Sequence, residues 1–169
     1  CQRKSAPPLP VKSAPPLPVL AVQPLGQATS LLWLRWLQRA LRPHAKLIVL
    51  QPRPLPPQAW SATYQRHRAE RLCEILALWK PKEARYILGL TAVDVSTTLP
   101  GYVDHAVFGL SDRGGPASVL STYRLRFLKL TPKQNRQLWN ILVHHEWGHL
   151  QNLTHCKNPR CVMHNAANQ

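Results

Sequence analysis

Carboxylates are scarce in this 169-residue chain: seven Asp and Glu stand against 22 Lys and Arg, a formal net charge of +15. None precedes Glu70, whereas ten lysines and arginines do. An acid-lined pocket for a substrate amine is hard to assemble from so few acids. A basic surface instead attracts nucleic acid, anionic lipid or acidic polymers through a force that salt screens. No nucleic-acid-binding motif accompanies the charge, so no specific nucleic-acid partner is expected. The chain also lacks an apolar run near the ~20 residues that span a bilayer as a helix. Methionine occurs once, at Met163. The length suits one domain and not two.

Proline is plentiful: there are 17, concentrated before Pro57. Lys4-Ser5-Ala6-Pro7-Pro8-Leu9-Pro10-Val11 is repeated unchanged as Lys12 to Val19. Such a tandem favours an extended, polyproline-II-like chain that buries no core. Residues 1–27 are therefore read as a disordered tether and 28–169 as the folded domain. The alternative for the repeat is a ligand for proline-binding modules. The first residue is Cys1 rather than methionine, which fits a processed lipoprotein carrying lipid on that cysteine and tethered to a bacterial cell envelope. A fragment that happens to begin there is the other reading, with a cytoplasmic location.

Between Leu31 and Arg42, Arg35, Arg39 and Arg42 share one helical face opposite Trp33, Leu34, Leu37 and Leu41. The expectation is a helix packed on the domain; the alternative is an interfacial membrane helix. A strand at Leu47–Leu50 should follow, then a long helix from about Gln58 to Trp79, stopped by Pro81. Further strands are expected at Tyr86–Val93, Ala106–Leu110 and Ser118–Arg126. The order of elements predicts an α+β fold of α/β-like character with a mixed sheet.

The chemistry concentrates near the end of the chain. His145-Glu146-Trp147-Gly148-His149 is followed by Asn152, His155 and Cys156. Residues four apart on a helix lie about 40° apart around the axis, so His145 and His149 project from one face with room for a metal between them. Glu146 is close enough to reach a water on that metal without being a ligand, the position of a general base. A third ligand needs the chain to turn back, and Asn152 suits a left-handed turn at a helix end. His155 then arrives from outside the helix. Three imidazoles leave a fourth zinc position open, as catalytic sites do. His144 and His164 fit no ligand position. The helix itself is announced by Thr131-Pro132-Lys133-Gln134, a capping box with proline at the first helical position. Leu138, Ile141, Leu142, His145 and His149 fall on one stripe, which predicts that the histidines continue the buried face.

These residues resemble the metzincin metallopeptidases, whose pattern is H-E-x-x-H-x-x-G/N-x-x-H with a later methionine turn. Within them the chain resembles the archaemetzincins, in which a cysteine follows the third histidine directly and C-x-M comes four residues later. Here these are Cys156 and Cys161-Val162-Met163. Ile87–Thr91, Val107–Leu110 and Ser121–Arg126 also look like the strands that precede the zinc helix in that family. The resemblance implies a twisted mixed sheet with an active-site helix, one catalytic Zn2+ on His145, His149 and His155, and Glu146 as general base. It places Met163 in the methionine turn. The family's second, structural zinc uses a further C-x-x-C pair that this sequence does not contain. Cys156 and Cys161 are thus open to a disulfide in an oxidising compartment, to remaining free thiols, or to an incomplete second metal site. The implied function is zinc-dependent peptide hydrolysis, with Ser118–Arg126 as an edge strand that holds the peptide substrate. A non-catalytic, envelope-tethered zinc-binding lipoprotein is the alternative.

Overall fold

The structure, a computed structural model, describes residues 15–26 and 31–164. Expectations for Cys1 and for the first proline repeat lie outside the described residues. The elements run β1 (Val19–Leu25), α1 (Leu31–Leu41), β2 (Lys46–Val49), β3 (Trp60–Ser61), β4 (Arg66–Arg68), α2 (Ala69–Trp79), β5 (Tyr86–Thr91), β6 (Val95–Leu99), β7 (Tyr102–Val107), β8 (Gly109–Ser111), β9 (Ala117–Ser121) and α3 (Pro132–Leu150).

The main sheet has the order β2-β1-β5-β9-β8. Its first four strands are parallel, and β8 closes it antiparallel to β9. Alternating side chains serve two cores. Leu20, Val22, Leu88, Leu90 and Leu120 face α1 and α3 with Leu37, Leu41, Trp139 and Val143. Ala21, Ile87 and Val119 face α2 with Leu72, Cys73 and Leu76. Helices on both faces bury the central strands on both sides, which explains their nearly continuous apolar runs. A smaller sheet, β3-β4-β6-β7, sits beside the main one. Arg66, Arg68 and Arg124 cross-link it through Asp94 and Asp104. The mixed α/β class matches the sequence reading.

Several expectations change. The tether read over 1–27 is corrected at its end: Val19–Leu25 is an internal strand, almost wholly buried. Its Pro24, which has no N–H to donate, sits beyond Val22↔Val49, where pairing with β2 has finished. The helix expected from Gln58 begins only at Ala69. Before it, a 3-10 turn at Pro57–Ala59 and the pair β3 and β4 form, with Gln65 at φ 51° between them. The strand expected at Ala106–Leu110 is divided at Phe108 between the two sheets, and β6 was not anticipated. The strand expected at Ser118–Arg126 ends at Ser121, and Arg124–Phe127 is a 3-10 turn. That strand is internal, flanked by β5 and β8, so β8 is the edge. As expected, α1 packs on the domain. Its Trp33 ring meets Trp139 of α3 edge-on at 5.1 Å, and His44 meets His144 at 5.5 Å.

Among the described residues no helix is long and apolar enough to cross a membrane. Leu88 is fully buried at the centre of the sheet. Leu88→Ala should cost about 2–5 kcal/mol of stability by leaving a cavity there, measurable as a lower denaturation midpoint with an unchanged m-value.

Candidate metal centre

α3 starts as its sequence signals. Thr131 accepts from the Gln134 backbone N–H, and the Gln134 side chain accepts from the Thr131 N–H, so the capping box is complete. Its face assignment differs from expectation. Trp139, Val143, Glu146, Trp147 and Leu150 form the buried stripe, Ile141 is half exposed, and His145 and His149 lie on the flank. The residue driven inward is thus Glu146, at 5% exposure. The apolar period continues through Trp139 and Val143, and the imidazoles stay at the rim, where a ligand can reach them.

The helix ends at Asn152, which takes φ 65°, the left-handed conformation its position called for. Asn152 N–H donates to His149 O, and Leu153 N–H donates to Gly148 O, the paired bonds of a Schellman turn. The turn brings Leu153 O to 2.9 Å from His149 Nδ1. Val162 O lies 2.8 Å from His145 Nδ1. A carbonyl only accepts, so each Nδ1 carries the proton and, in a neutral ring, each Nε2 presents a bare lone pair. Burial, the neighbouring imidazoles and Arg113 hold the pKa of His149 below its ordinary value, outweighing the Leu153 contact. Burial, with His145 and Arg113, does the same at His155.

The three Nε2 atoms converge. His149 Nε2 is 3.1 Å from His145 Nε2 and 3.1 Å from His155 Nε2. Lone pairs facing at this distance repel unless a positive charge lies between them. Nitrogens at tetrahedral corners about 2.0–2.1 Å from zinc would be about 3.3 Å apart. The donor set and its spacing therefore fit a divalent cation of zinc's preference. Among the described residues, His145, His149 and His155 are the one group of three or more such side chains close enough to share an ion.

Met163 is buried against Gly148 of α3, at 4% exposure. A Cβ at Gly148 would collide with the Met163 sulfur, so the glycine in the H-E-x-x-H segment makes room for the methionine. The same segment holds the third histidine: Cys156 N–H donates to Met163 O at 2.8 Å, and His164 Nδ1 lies 3.1 Å from Cys156 O. His164 braces that turn, while His144 Nδ1 bonds Asn140 O away from the metal group. Cys156 and Cys161 are free, half-buried thiols in this structure, with no bond between them.

Sequence reasoning missed what grips Glu146. The Ser111 hydroxyl, on edge strand β8, donates to Glu146 Oε2 at 2.7 Å, with Ser118 Oγ 2.7 Å behind it. At Gly109 a Cβ would fall 2.9 Å from Glu146 Oε1 and 2.9 Å from the Val119 carbonyl, so only glycine lets the carboxylate lie on the strand. Burial raises the Glu146 pKa to about 7, against the opposing Ser111 bond. A nearby divalent cation would draw it back down. Serine 35 positions away carries no local signal; the hint is the small-residue run Gly109-Leu110-Ser111.

No family model matches the chain. An archaemetzincin from Haloarcula marismortui is 32% identical over 120 residues, covering 67% of this chain and 66% of that protein. One from Pyrococcus horikoshii is 39% identical over 89 residues, 50% of this chain and 45% of that protein. The solved archaemetzincin of Methanopyrus kandleri superposes with a TM-score of 0.71 at 26% identity, covering 89% of this chain and 82% of that one. The chain belongs to the archaemetzincin family. It spans about two thirds or less of the curated relatives it matches. The fold is shared with a zinc-dependent peptidase from Methanocorpusculum labreanum, with a TM-score of 0.63 at 20% identity over 86% of this chain and 87% of that one.

The contact between Gly148 and Met163 is directly testable. Gly148→Ala should destabilise by about 1–3 kcal/mol through overpacking against Met163. Adding Met163→Ala should recover part of that loss. The positive coupling is read from a double-mutant cycle in denaturant.

Proposed function

We propose that this archaemetzincin is a zinc-dependent peptidase in which His145, His149 and His155 hold one catalytic ion and Glu146 is the general base. What carries the proposal is the pair of backbone-anchored Nδ1–H groups that turns lone pairs towards a common point. Zinc, when bound, supplies a Lewis acid that polarises a scissile carbonyl and acidifies water. Glu146 takes the proton from the attacking water and delivers it to the departing amine. Ser111 holds Oε2 in place, so the carboxylate meets water through a fixed geometry. Met163 supports the imidazoles as packing.

The substrate is a peptide. The edge strand next to the site is β8 rather than the Ser118–Arg126 segment, so an extended peptide pairs there if it adds to the sheet. With Glu146 buried and Arg113 beside the histidines, no acidic patch for a substrate amine is apparent in this grouping. Nothing among the described residues favours the tethered, non-catalytic reading.

Glu146→Gln should keep about one zinc per chain and lower peptide cleavage by about 10²–10⁴-fold. His155→Ala should weaken zinc retention itself, with cleavage restored only by excess metal. Metal analysis and a peptide-library cleavage assay read both. Hydrolysis unchanged by Glu146→Gln refutes the role assigned to that carboxylate.

A further inference from the structure

The acids missing from the chain leave one part of the surface with cations only. No Asp or Glu occurs from residue 1 to 69, nor between Asp112 and Glu146, so α1 and the first three turns of α3 contain none. Between these helices opens a cavity of about 450 Å³. Arg39 enters it from α1, and Lys133 and Arg136 from α3; all three are exposed, and among the described residues no ion pair involves them. The acids that form ion pairs, Glu70, Glu74, Asp94 and Asp104, are engaged by other arginines. The half-buried Trp36 indole contributes to the wall. Trp139 lines it too, and its buried Nε1–H has no acceptor among the described residues.

Three like charges gathered around one cavity repel each other, a cost that a multivalent anion removes. Two guanidiniums match the oxygens of a tetrahedral oxyanion through paired N–H donors, and Lys133 adds a point charge. The indole offers a flat apolar face for the remainder of the ligand. A volume of this size accommodates a small organic molecule. Arg136 is nine residues before His145, about 180° around the helix, so the cavity opens on the other flank of α3 from the histidines.

We propose that the cavity between α1 and α3 binds a phosphate ester, with the phosphate held by Arg39, Lys133 and Arg136 and its organic part against Trp36. The site is separate from the metal centre and does not depend on peptidase activity. A soluble phosphate ester and a phospholipid headgroup share this chemistry, and the probes distinguish them.

The test is calorimetric titration of zinc-loaded protein with phenyl phosphate and with inorganic phosphate, alongside sedimentation with phosphatidylcholine vesicles with or without phosphatidylglycerol. Saturable binding is expected, with phenyl phosphate tighter than inorganic phosphate. Combining Arg39→Gln, Lys133→Gln and Arg136→Gln should weaken it at least about tenfold. Arg35→Gln in α1 with Arg42→Gln just after it, both outside the cavity lining, should leave it within about twofold. These side chains are exposed, and circular dichroism confirms the fold of each variant. Binding of the soluble esters assigns a free ligand; vesicle capture alone, lost in the triple variant, assigns a headgroup. Equal weakening in both variants, binding untouched by the triple variant, or no saturable binding of any probe overturns the proposal.

Discussion

Two backbone carbonyls decide whether this centre exists. Val162 O and Leu153 O each take an imidazole Nδ1–H, and that choice of tautomer leaves a lone pair on the opposite nitrogen. Without such partners an exposed imidazole rotates and exchanges tautomers, and metal affinity falls with the loss of orientation. The carbonyls are available because the chain reverses at Asn152 and again around Met163, so the turns that end the helix also aim its histidines.

The carboxylate is held from the opposite direction. β8 closes the sheet and lays Gly109 and Ser111 against Glu146, which α3 drives inward with Trp139 and Val143. One helix therefore carries a polar rim for the imidazoles and a dry stripe that includes the carboxylate. Desolvation raises the cost of charge at Glu146, and a single hydroxyl offsets part of it. A low-dielectric setting of this kind strengthens whatever electrostatic contact forms there.

What the sequence disclosed follows the range of the interactions. The α3 cap, the left-handed Asn152 and the gathering of three histidines were legible because each depends on neighbours within about ten positions. The buried strand Val19–Leu25 was not, since the proline repeat runs into it and its apolar residues acquire meaning only beside β2 and β5. Residues 60–68 look helical in composition, yet His67 and Arg68 pair with Val95 and Ser96, a long-range choice that outweighs local propensity. The clasp of Ser111 on Glu146 was hidden for the same reason. Face assignment on α3 failed differently: the stripe through the histidines competed with the bulkier Trp139 and Trp147, and larger apolar area prevailed.

The placement of Val162 O has a consequence for biosynthesis. His145 and His149 leave the ribosome before the segment that supplies that carbonyl and the packing of Met163 on Gly148. A nascent chain stopped at the end of α3 would display both imidazoles without the partner that orients His145. Orientation of His145 is thereby deferred until translation has passed Val162, 17 residues beyond the ring itself.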